Sequence, residues 1–281
     1  MAVRWLASAL VALLVAATAG CGDDAGAPSI AVGSTSDPDA TVIAHLYAAA
    51  LRYYGSPAHV TLDDDPLGKL DSGEVRVVPG FTGRLLHRFM PDATARSAAQ
   101  VYRDLLSALP EGIAAGDYTT SAEDKPALVV TEETAEKWGG RDVTAAVHNC
   151  DTLRIGHVAD EAGPAQLGVC ELGGSRGFRD SATMFAAILA GEIDAGWTTT
   201  AATGIPPELL TLSDKTSLIR AENVVPLYRR NELDERQVLA LNEVAGVLDT
   251  AALAQMRADV ADGQDPVHVA DAFLAEHPLG D

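Results

Sequence analysis

The chain has 281 residues, 47% of them hydrophobic, and a formal net charge of −20, so it can bury one large or two modest cores. So acidic a surface repels nucleic-acid phosphates and anionic lipid headgroups, and with no basic stripe to offset it nucleic acid is excluded as a partner. A small ligand stays open, because local charge decides a pocket.

At the N-terminus Arg4 precedes the apolar run WLASALVALLVAATA, from Trp5 to Ala19. This is too short for a typical membrane span and has the charged start and small-residue end of a secretion signal. Thr18-Ala19-Gly20-Cys21 resembles the bacterial lipoprotein cleavage box, which makes Cys21 the lipidated first residue of the mature chain. An exported protein follows, anchored by lipid to the outer face of the cell membrane, with 21–29 as a tether. Only Cys150 and Cys170 then remain, an even pair in an oxidising compartment, and they are expected to form a disulfide closing a short loop.

From Ser29 the pattern alternates strand and helix. SIAVGSTSD is a short apolar strand running into a Gly-Ser-Thr-Ser loop, after which Asp37 caps a helix and Pro38 takes its first position. Val42, Ile43, Leu46, Ala49, Ala50 and Tyr53 fall on one face of that helix, and Gly55 ends it. VTLDD and EVRVV are the next strands, the second opening into a Pro-Gly-Phe-Thr-Gly loop; Ala95 to Leu109 has helical spacing. PALVV is a strand, Glu132 to Trp138 a helix, and a loop holding Cys150 leads to strands near LRIGHV and QLGVC. Ser181 to Leu189 is a helix, EIDAGW a strand running into a Trp-Thr-Thr-Thr loop, and the chain from Asp234 is mostly helical. Strands separated by helices predict an α/β fold of two lobes with mostly parallel sheets, the helical tail packing back on the first.

Catalysis finds no foothold in these motifs. The histidines at 45, 59, 87, 148, 157, 268 and 277 form no HExxH spacing. No GxSxG elbow or P-loop occurs, and GGSRGF lacks the phosphate-loop lysine and spacing. No enzyme activity, metal or cofactor is expected.

Five segments in order resemble the substrate-binding proteins of ABC importers for glycine betaine, choline and related osmoprotectants. They are IAVGST, GEVRVVPGFTG, AEDKPALVVTEETAEKWG, DSATMFAAILAGEIDAGWTTT and VVPLYRRNEL, and together they span nearly the whole mature chain. The resemblance implies a two-lobed, type II periplasmic-binding-protein-like fold, with two mixed sheets flanked by helices and two interlobe crossings. It assigns 1–20 to the signal, 21–29 to the lipidated tether, 30–123 and 213–281 to one lobe, and 124–212 to the other. It also implies a cage of aromatic rings for a quaternary ammonium, a monomeric receptor and delivery to an ABC permease.

Carried over residue by residue, the resemblance puts Phe81 at the family's cage tyrosine, Asp124 at the crossover, and Trp197, Thr198 and Thr199 on the second ligand loop. Thr82 adds a hydroxyl beside Phe81. Ser34 and Thr35 precede a helix N-terminus whose free N–H groups suit an anion. Each has a second reading: Phe81 as hinge packing, Trp197 as core, the threonines as strand formers, Ser34 and Thr35 as simple caps. Arg84 suits lobe–lobe or ligand contact, and Arg176 could bind a carboxylate only by realignment. If Phe81 faces the ligand, Phe81→Ala is expected to weaken binding and leave the melting curve nearly unchanged. The expected function is a receptor delivering a small compatible solute to an importer; a non-transport lipoprotein using the fold as scaffold or sensor is the alternative.

Overall fold

In the computed structural model, which describes residues 28–158 and 163–280, the short Val- and Ile-rich runs are strands and the amphipathic segments between them helices. The signal and Cys21 lie outside the described residues. At the start of the chain that is described, the Ser29 hydroxyl bonds the His59 ring at 2.8 Å.

The chain begins β1 (Ile30–Ser34), α1 (Pro38–Tyr53), β2 (Ala58–Leu62), α2 (Pro66–Ser72), β3 (Val77–Phe81), α3 (Thr82–Phe89), α4 (Ala98–Ala108) and β4 (Ile113–Ala115). It continues with β5 (Pro126–Thr131), α5 (Glu132–Trp138), α6 (Val143–His148), β6 (Ile155–Val158), β7 (Gln166–Leu167), β8 (Cys170–Glu171) and β9 (Arg176–Phe178). Then come α7 (Ser181–Leu189), β10 (Ala195–Thr199), β11 (Leu209–Thr211), β12 (Val224–Arg229), α8 (Glu235–Val247), α9 (Thr250–Ala261) and α10 (Pro266–Glu276).

Two five-stranded sheets result, ordered β2-β1-β3-β12-β4 and β11-β5-β10-β6-β9. Both are mixed, not mostly parallel. β1 runs parallel to β2 and β3, whereas β12 is antiparallel to β3 and β4. In the second sheet β10 is parallel to β6 and antiparallel to β5. The reason lies in connectivity: β12 arrives from the other sheet, not through a βαβ crossover, so no helix forces it parallel. Because β12 follows every strand of the second sheet, the chain crosses between sheets twice, along 116–125 and 212–223.

Asp37 caps α1 and Pro38 opens it, and Val42, Ile43, Leu46, Ala49 and Ala50 are buried against β1 and the C-terminal helices. Tyr53 is 51% exposed, because the helix ends there and no further turn carries the stripe onto the core. The second sheet is covered on both faces. Leu128, Val130 and Trp197 share a core with α5 and α6, while Val129, on the other side of the pleat, packs with Met184 and Ile188 of α7.

Two local readings change. QLGVC is a hairpin, not one strand: β7 and β8 pair antiparallel around Gly168, whose φ of +61° is left-handed. Cys170 on β8 is bonded to Cys150 just after α6, so the expected disulfide is present. The Pro-Gly-Phe-Thr-Gly stretch is not a loop either. β3 runs through to Phe81, and α3 begins at Thr82. Pro79, which has no N–H to give the ladder, stands opposite Pro226 of β12.

Candidate functional site

The two crossings meet the C-terminal end of β3. Phe81 is its last residue, only 7% exposed, and packs in a core that includes Ala122 of the first crossing and Ala201 just beyond β10. Arg84, one turn into α3, lays its guanidinium carbon 4.6 Å from the Phe81 ring centroid; that of Arg257, from α9, is 5.8 Å away. Both guanidinium groups donate to Oδ2 of Asp124, at 3.3 and 3.0 Å. Asp124 is 3% exposed and Arg257 5%.

The surroundings hold this cluster in place. Asp124 donates its backbone N–H to the Glu222 carbonyl at 2.8 Å, joining one crossing to the other. Arg257 Nε lies 3.6 Å from Asp39 of α1, and its Nη1 reaches the Ala201 carbonyl at 3.5 Å. Burial raises the Asp39 carboxyl above its usual range, against the pull of Arg257. Asp124 Oδ1 and Arg257 Nε are buried without a hydrogen-bond partner. The two arginines and two aspartates cancel in charge. Thr200, next to Ala201, accepts from the Lys125 N–H at 3.2 Å and donates to the Glu123 carbonyl at 2.9 Å, tying the end of β10 to the first crossing.

Glu222 caps α3. Its carboxylate accepts from the Arg84 N–H at 2.8 Å, and Gly83 approaches so closely that a Cβ there would lie 2.6 Å from the Ala221 carbonyl oxygen. Burial pushes the Glu222 carboxyl up to about 7, outweighing the N–H groups of Arg84 and Gly83 that favour its charge. Thr82 is wholly buried and exchanges two bonds with Asn223: its N–H donates to the Asn223 carbonyl at 2.9 Å, and its Oγ1 accepts from the Asn223 N–H at 3.1 Å.

Of the residues singled out in the sequence, Phe81, Thr82 and Asp124 come together here. Ser34 ends the neighbouring strand β1, 4% exposed, with a hydroxyl that has no partner. The Thr35 carbonyl accepts from the Thr41 hydroxyl at 3.1 Å, and Asp37 already accepts from an N–H of the α1 N-terminus. Trp197 is corrected from ligand loop to core: it is 4% exposed in the interior of the second sheet, and Gly163 packs so tightly on its ring that a Cβ would overlap it. Thr198 and Thr199 are half-buried opposite Ala127 and Pro126. Arg176 stands on β9 at the far edge of the second sheet, paired with Glu192 at 2.8 Å and 4.7 Å from the Phe178 ring centroid.

Sequence reasoning missed Arg257, Asp39 and Glu222. A signal existed for the first, since Arg257 lies four residues after the buried Leu253 and so on the inner face of α9. A cavity of about 290 Å³ between the crossings is lined by Lys125, Thr200 and Asp214, and a groove of about 410 Å³ by Tyr102, Asp117, Tyr118 and Asn242. Phe81 lines neither. Among the described residues no group of three or more His, Cys, Asp or Glu side chains is placed to hold a metal ion.

An aromatic ring under cations and a buried carboxylate thus lie where two crossings join the two sheets. The sequence profile described as "Substrate binding domain of ABC-type glycine betaine transport system" matches residues 28–276. No curated protein matches the chain in sequence. A structure described as a glycine betaine/carnitine/choline ABC transporter superposes with a TM-score of 0.73 at 16% identity, covering 89% of this chain and 98% of its own. Apo YehZ from Escherichia coli gives 0.71 at 20% identity, covering 90% and 99%. Lactococcal OpuAC, closed on glycine betaine, gives 0.51 at 13% identity, covering 89% and 96%. At these identities the superpositions establish a shared fold.

Proposed function

Because the chain belongs to the family of substrate-binding domains of ABC-type glycine betaine transport systems, we propose that it captures a small compatible solute, betaine- or choline-like, between two lobes. The lobes are 30–123 with 213–281, and 124–212. Closure over the ligand presents it to a membrane permease, and no covalent step is involved, only a conformational equilibrium shifted by binding. In this reading the chain is exported, anchored through a lipid on Cys21, and monomeric.

The observation that supports the ligand class is the Phe81 ring, whose face takes the chain's own Arg84 guanidinium at 4.6 Å and so suits a cation, beside the buried Asp124 carboxylate. An aromatic face and a nearby anion are what a quaternary ammonium needs. Ser34, Thr35, Thr82, Thr198 and Thr199 are the hydroxyls assigned to its polar end.

The test is thermal unfolding of the purified mature chain in the presence of quaternary amines, amino acids and polyols, with native mass spectrometry of freshly purified protein. A quaternary amine that raises the melting temperature or is retained by mass supports the reading. A screen in which nothing stabilises the protein sinks it. That outcome favours a scaffold or sensor role, for which the coverage of Phe81 by the chain's own arginine is the supporting observation.

A further inference from the structure

The ring that would take the ligand's cation already has one. Arg84 places its guanidinium 4.6 Å from the Phe81 centroid and 3.3 Å from Asp124 Oδ2, and its side chain is 57% exposed, reaching in from the solvent side. Arg257, by contrast, is buried and fixed by Asp124, Asp39 and the Ala201 carbonyl. Without Arg84 the remaining charged groups, Arg257, Asp39 and Asp124, sum to one negative charge beside an aromatic face. With Arg84 seated they balance.

We propose that Arg84 is a resident cation, an internal competitor that occupies the cation position on Phe81 and must swing out before a ligand cation enters. The inference rests on the reading of this cluster as the ligand site, and it makes Arg84 a determinant of affinity and specificity. Three features support it. The exposed stem can leave without unpacking a core. The side chain gives up only its bonds to Asp124, at Oδ2 and, at 3.5 Å, the carbonyl, while the tie to Glu222 runs through the backbone N–H at 2.8 Å and stays when the side chain is out. Asp124 keeps a second partner in Arg257, at 3.0 Å, so displacement does not strand a buried carboxylate. A ligand therefore exchanges one cation for another. Its net affinity is the difference between two similar interactions, so a ligand that also carries a carboxylate can engage the displaced guanidinium and gains over a bare cation.

The experiment compares wild type, Arg84→Ala and Arg84→Ala/Phe81→Leu by calorimetric titration with tetramethylammonium chloride and with glycine betaine, at fixed ionic strength. Arg84→Ala is expected to bind tetramethylammonium at least about tenfold more tightly than wild type, and the added Phe81→Leu to abolish the gain. Equal or weaker binding by Arg84→Ala, including no binding by either protein, overturns the proposal. Betaine separates it from the broader reading. Betaine binding by wild type without a tetramethylammonium gain leaves the receptor and removes the competitor; a gain with no betaine binding by either protein keeps the competitor and moves the ligand from betaine to a bare quaternary cation.

Discussion

Arg257 and Asp124 meet at 3.0 Å with side chains 4% and 5% exposed, one from the C-terminal helix α9 and the other from the first crossing. The pair fixes the chain just before it enters the second sheet at β5. Removing Arg257 takes from Asp124 its buried partner and leaves only the more exposed Arg84, at 3.3 Å, which costs up to roughly 3–5 kcal/mol. Arg257→Ala is expected to lose that much in urea unfolding, whereas Arg257→Met with Asp124→Leu, which removes both charges and keeps volume, recovers most of it. A loss for Arg257→Ala below about 1 kcal/mol, the range of a surface pair, would mean that Arg84 alone compensates Asp124.

The Phe81 environment changes the expectation drawn from sequence. With the ring 7% exposed and packed in the core with Ala122 and Ala201, Phe81→Ala leaves a cavity and is expected to cost about 3–5 kcal/mol in stability. Alanine therefore cannot separate binding from folding here. Phe81→Leu keeps most of the volume, is expected to cost less than about 1.5 kcal/mol, and still deletes the negative ring face. Titration of this variant should show weaker binding of any quaternary amine with the melting curve little changed; unchanged binding would remove the ring from the site.

What sequence could reveal follows where the determining contacts lie. The start of α1 was legible because Asp37 and Pro38 act on their own helix, and the disulfide because compartment and cysteine count suffice. The start of α3 was hidden because Phe81 supplies no side-chain cap. The cap is Glu222, which lies 138 residues beyond Arg84 in sequence. Trp197 was misplaced because both faces of the second sheet are covered by helices, so alternation along β10 separates two cores, not core from cleft. Arg257 was lost among surface arginines, since only the pairing of α9 with Asp124 and Asp39 makes a charge there tolerable.

Glu222 gives the protein a pH signature. Burial raises its carboxyl from 4.5 to about 7, so the folded chain holds a proton there that the unfolded chain has released. The stability this contributes is full below the unfolded value and lost as pH rises through about 7, on the order of 1–3 kcal/mol between the two limits. Glu222→Gln keeps an oxygen for the Arg84 and Gly83 N–H groups and does not titrate. Its melting temperature should exceed that of wild type at pH 8 and differ less at pH 5. Parallel pH profiles for the two proteins would place the titration elsewhere.

The Cys150–Cys170 bond joins the turn after α6 to β8 across a sequence separation of 20 residues. Constraint of a loop of that size in the unfolded chain stabilises by about 3 kcal/mol in the loop-entropy account. The hairpin it holds is two short strands, too small to be stable alone, and beyond the buried Leu167 its tip is free of the core, Val169 being 90% exposed. Cys150→Ser/Cys170→Ser is therefore expected to lower the melting temperature by roughly 6–12 °C. Reductant should bring wild type down to the same value and leave the variant unmoved. Because neither cysteine touches Phe81, Arg84 or Asp124, ligand affinity measured well below the transition should be unaltered. A loss of affinity on reduction would instead couple the hairpin to the cleft.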